Sequence, residues 1–86
     1  NQKAHLNPYI VVIRCENHDS EMAAMDFLKK QVHRCVVKSK TAQKGAIEMN
    51  VEVRMKEDNT DFVNILSEMN GINSAVLVSY NGDYMG

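Results

Sequence analysis

The chain has 86 residues, 44% of them apolar and 24% charged, enough for one domain around one core and unlike a disordered chain. A formal charge of −1 provides no overall field for DNA, RNA or anionic lipid, so no nucleic-acid partner is expected. Two cysteines are too few for a disulfide framework and read as reduced core thiols, and no segment approaches the roughly 18 apolar residues of a membrane span.

Residues 1–8 are polar, end at Pro8 and read as a linker or leader. The start at Asn1 rather than methionine leads us to expect a piece excised from something longer. Tyr9 to Cys15 (YIVVIRC) is a nearly continuous β-branched run, the pattern of a central strand. It breaks at Glu16-Asn17-His18-Asp19-Ser20, where Asp19 or Ser20 is suited to cap a helix. That helix is expected over Glu21 to Val32, with Met25, Leu28 and Val32 at i, i+3, i+7 spacing and Ala24 and Phe27 widening the stripe. Lys29, Lys30 and His33 place positive charge near its C-terminal end.

A second strand is expected over Arg34 to Lys40 and a link over Thr41 to Gly45. The third strand shows the clearest pattern: Ile47, Met49, Val51, Val53 and Met55 alternate strictly with polar residues, so one face is buried and one is not. Glu57-Asp58-Asn59-Thr60 forms the next turn, its acids placed to stabilise a helix start. A second helix over Asp61 to Asn70 sets Phe62, Ile65, Leu66 and Met69 on one side, and Gly71 suits the left-handed position after it. Met22, Met25, Met49, Met55 and Met69 all read as core filling. Ser74 to Tyr80 is the fourth strand, and Asn81-Gly82 predicts a tight hairpin carrying Asp83-Tyr84-Met85 back as a short fifth.

The order β-α-β-β-α-β with right-handed crossovers has one common solution. It is an α+β, ferredoxin-like βαββαβ sandwich: an antiparallel sheet in the order 4-1-3-2 with both helices on one face and a short C-terminal hairpin extension. Parity places Arg14, Lys38, Glu52 and Arg54 on the open face, a set suited to cross-strand ion pairs, with Ile10, Val12 and Val36 beside them.

Cys15-x-x-His18 and His33-x-Cys35 have the residue types of a zinc site, but the topology sets the thiols at opposite strand ends, roughly 15 Å apart. No metal and no cofactor is therefore expected. Pairing Cys15 with His18 for nucleophilic catalysis lacks a glycine to expose backbone donors nearby, and no enzyme is expected. Modules of this fold that bind RNA stack bases on sheet aromatics, where this chain has Glu48, Asn50 and Glu52. Copper chaperones carry CxxC where this chain has Cys15-Glu16-Asn17-His18.

From Tyr9 to Tyr84, and most closely in its ending Ser74-Ala75-Val76-Leu77-Val78-Ser79-Tyr80-Asn81-Gly82-Asp83-Tyr84, the chain resembles ACT-like and MgtC-like soluble domains. Those domains lie at the C-terminus of small multi-pass bacterial membrane proteins. The resemblance implies a regulatory domain on the cytoplasmic side, attached to a membrane only through a segment outside this chain. It also implies self-association as a homodimer or docking on other domains of a parent protein, and in some cases sensing of a small molecule such as an amino acid, a nucleotide or an ion. ACT domains that bind amino acids carry a glycine after the first strand, where this chain has Asn17-His18-Asp19. Those three residues, with Asn73 and Ser74 at the start of the fourth strand, are the candidate ligand-binding set.

Overall fold

The computed structural model describes residues 6–79. Its elements run β1 (Asn7–Cys15), α1 (His18–Gln31), β2 (Arg34–Gln43), β3 (Ala46–Met55), α2 (Asp61–Ser67) and β4 (Ile72–Ser79). The strands form one antiparallel sheet in the order β2-β3-β1-β4, as the element order implies. The hairpin expected after Tyr80 lies outside the described residues.

The covered face is built by alternation. Tyr9, Val11, Ile13 and Cys15 of β1 and Met49, Val51, Val53 and Met55 of β3 pack under Ala24 and Leu28 of α1 and Phe62 and Leu66 of α2, all buried. Two expected core residues are not there: Met22 is 49% and Ile65 56% exposed. In the seven residues of α2 the stripe is centred by Phe62, Leu66 and the half-buried Val63, which leaves Ile65 off its edge. The helices cover little of β2, which has no buried residue and only Cys35 half-buried.

Several boundaries move for identifiable reasons. β1 begins at Asn7, with Pro8 opposite Arg54, so the strand takes in the last two residues of the stretch read as a linker. The cap of α1 is Asn17 rather than Asp19 or Ser20: its Oδ1 accepts from the Ser20 backbone N–H at 2.9 Å, and the Asn17 N–H donates to Ser20 Oγ at 3.2 Å. Ser20 thus completes a capping box from inside the helix. α2 ends at Ser67 instead of Asn70, because Glu68 and Met69 donate to Ile65 and Leu66, the tighter bonds of a closing turn. Gly71 then adopts φ +81°, and a Cβ there would sit 2.6 Å from the Ser20 Cβ. Only glycine suits both the backbone and the space.

Two irregularities set which residues share a face. In β2, Val37 lies opposite Val51 and Ser39 opposite Asn50, so Lys38 is an extra residue with no partner across. This bulge shifts the alternation by one position. It turns Lys40 to the covered side, opposite Met49, where its Nζ meets Glu21 Oε2 of α1 at 2.6 Å. The pairing also continues to Gln43, three residues beyond the expected end at Lys40. In β4, Ser74 lies opposite Arg14 and Ile72 opposite Cys15, which makes Asn73 the extra residue.

Candidate functional site

The β1–α1 turn and the start of β4 meet at one end of the sheet, but the five candidate residues do not converge. Asn17 and Asp19 line a depression of about 490 Å3, together with Ser20, Ala23, Asn70 and Gly71. The Asn17 amide is already occupied as the helix cap. The His18 side chain is 74% exposed and turns elsewhere, with Nδ1 3.7 Å from Glu21 Oε1. Asn73 lines a separate depression of about 210 Å3 with Arg14, Thr41 and Glu48. Ser74 lies opposite Arg14, and its Oγ is buried with no hydrogen-bond partner among the described residues.

Cys15 lies beneath the same turn and is fully buried. Burial pushes its thiol above the usual range, the nearby Glu21 carboxylate adds to the shift, and the Ser20 hydroxyl and the Lys40 ammonium oppose it. A thiol held protonated in this way is a poor nucleophile. Cys15 lies opposite Ile47 and Cys35 opposite Val53, six β3 positions apart or roughly 20 Å. Both cysteines are free.

The acidic turn before α2 has two tasks. Asp58 accepts from Asn7 Nδ2 and from the Tyr9 hydroxyl, each at 2.8 Å, which ties the start of β1 to the turn. Asn59 Oδ1 accepts from the Asp61 N–H at 3.0 Å where α2 begins. Beside this turn is a depression of about 360 Å3, lined by Gln31, His33, Met55, Lys56, Glu57, Asn59 and Phe62. These residues come from two short segments, 31–33 and 55–62, that only the β2–β3–α2 packing brings together.

The open face carries most of the exposed large aliphatic side chains of the sheet. At its centre β1 and β4 set Ile10 opposite Val78 and Val12 opposite Val76. Val76 and Val78 are 41% and 46% exposed and Val36 of β2 is 40% exposed, while Ile10 and Val12 are half-buried. Ion pairs of both signs flank this patch. Arg14 Nε meets Glu48 Oε1 at 2.8 Å on one side. On the other, Glu52 takes Arg54 Nη2 at 3.0 Å and Lys38 Nζ at 3.8 Å. The charges assigned from parity all lie on this face. The contribution of β4 was hidden, because SAVLVSY is a continuous apolar run with no alternation to expose a side.

No protein-family model and no curated protein sequence matches the chain. Among solved structures it is similar to the solution structure of the C-terminal domain of the MgtC protein from Mycobacterium tuberculosis. The TM-score is 0.69 at 15% identity, over 92% of this chain and 93% of the other. At that identity the likeness is one of fold, and the MgtC-like resemblance read from the sequence holds at that level. Among the described residues no helix is long and apolar enough to cross a membrane.

Proposed function

We propose that the domain is a non-enzymatic regulatory module of a membrane protein, held on the cytoplasmic side, which acts by associating with a second copy of itself through the open sheet face. The observation that carries this reading is the aliphatic patch of Ile10, Val12, Val76 and Val78, bordered by ion pairs of both signs. Such a surface leaves apolar area in contact with water as a monomer, and the ion pairs at its border hold both signs of charge. The MgtC-like fold supports this setting, since the domains that the sequence resembles are parts of membrane proteins.

Size limits how tight the contact is. Four strands about 4.8 Å apart and about 26 Å long present a flat face of roughly 500 Å2. Stable interfaces bury about 800 Å2 per partner, so the expected dimer is weak and becomes strong only when parent proteins share a membrane and raise the local concentration. Sedimentation of the isolated chain at rising concentration tests this. Association that disappears in Val12→Asp and in Val76→Asp is expected; a strict monomer at millimolar concentration overturns the proposal.

A second reading, a small-ligand sensor, is favoured by the depression between the β1–α1 turn and Gly71. Thermal-shift screening with amino acids, nucleotides and divalent ions separates the two. A stabilising hit lost in Asp19→Ala supports sensing.

A further inference from the structure

Arg34 lies directly opposite Arg54 in the β2–β3 register, about 5 Å away between backbones. Like charges in that position destabilise a strand pair unless something of opposite sign sits between them. One carboxylate is close, that of Glu52, and both its oxygens are engaged: Oε2 by Arg54 at 3.0 Å and Oε1 by Lys38 at 3.8 Å. The other acid of β3 on this face, Glu48, is held at the far end by Arg14. Among the described residues Arg34 forms no ion pair. Three cations therefore lie beside one carboxylate that engages two of them, a local excess of two positive charges on a chain whose formal charge is −1. Between them is a depression of about 180 Å3 lined by Arg34, Val36, Glu52 and Arg54.

We infer that this depression is a binding site for a phosphate group, with Arg34 and Arg54 as its two forks. Each guanidinium is a planar set of donors that engages two oxygens of one phosphate, and it stays charged at any physiological pH. A phosphate monoester supplies enough oxygens for two such forks, and its charge, near −2, matches the local excess. A single carboxylate offers two oxygens and one charge and fills half of the requirement. The phosphate belongs either to a soluble phosphomonoester or to a lipid headgroup. The site is inferred without the self-association reading, although it lies at the border of the same face.

Amide NMR of the full chain titrated with inorganic phosphate, against chloride at matched ionic strength, reads the site directly. Saturable shifts confined to Arg34, Val36, Glu52 and Arg54 are expected, and Arg34→Gln should weaken binding about tenfold, the effect of losing one charged hydrogen-bonding partner. Arg34→Gln removes a like-charge neighbour, so the variant should fold at least as well as the parent. Lys44→Gln, in the hairpin turn, should leave the titration unchanged. Co-sedimentation with phosphatidylcholine vesicles, with and without phosphatidic acid, identifies the source. Retention on phosphatidic acid that is lost in Arg34→Gln assigns a lipid headgroup, and a phosphate response without vesicle binding assigns a soluble ester. No saturable response in either experiment, or one that Arg34→Gln leaves intact, overturns the inference.

Discussion

The two faces of the sheet are made from the same strands, yet they follow different rules. On the covered face Val11, Ile13, Val51 and Val53 are fully buried, and each contributes by filling space. On the open face their immediate neighbours Val12, Asn50 and Glu52 stay partly in water, and order there comes from cross-strand pairs such as Asn50 to Ser39 at 2.9 Å and Arg14 to Glu48 at 2.8 Å. Packing is concentrated on one face, which leaves the side chains of the other in contact with water.

The largest expected effect contrasts neighbours on β1. Ile13→Ala should cost about 2–5 kcal/mol by opening a cavity in the core, whereas Val12→Ala on the open face should cost less than about 1 kcal/mol. Urea unfolding of both variants measures the gap, and equal losses would show that the open face is packed in solution. Next come the two glycines at positive φ, Gly71 at +81° and Gly45 at +70°. Alanine at either costs about 1–2 kcal/mol from the left-handed backbone alone. At Gly71 the added Cβ also meets Ser20 at 2.6 Å, whereas Gly45 has nothing within 4 Å. Gly71→Ala should therefore show clearly the larger fall in melting temperature.

The smallest effect is a pH dependence from Cys15. Its pKa is raised in the folded chain, so the folded state holds the proton after the unfolded state has begun to release it. Below the ordinary thiol range the group contributes no pH dependence, and stability falls as pH rises through and above that range. Urea midpoints between neutral and alkaline pH should drop more steeply for the parent than for Cys15→Val. Parallel slopes would place the thiol in contact with water.

Much of this architecture can be read from residue patterns, and the exceptions have physical causes. Strict alternation from Ile47 to Met55 and the helix stripes through Leu28 and Leu66 determine the covered face, and the order of elements then determines the topology. The bulge at Lys38 cannot be read, because Lys38-Ser39-Lys40-Thr41 contains no apolar contrast from which a change of side would show. The cap cannot be singled out from residue type, because Asn17, Asp19 and Ser20 are all competent caps, and only the position of the turn selects Asn17. Site residues were less legible still. Asn17 and Asp19 open onto one depression and Asn73 onto another, while the Ser74 hydroxyl is buried, and the Arg34–Arg54 pair depends on a register that no sequence spacing specifies.

The bulged Lys38, with no residue opposite it in the ladder, makes the length of β2 negotiable. Deleting it would leave Val37 and Ser39 adjacent, still opposite Val51 and Asn50, with Thr41 to Gln43 undisplaced and Lys40 still aimed at Glu21. The extra residue works as slack in the outermost strand. A neighbouring chain that tried to zip along that rim would lose step at this point, so the rim is guarded against unwanted polymerisation while the broad surface beside it stays available.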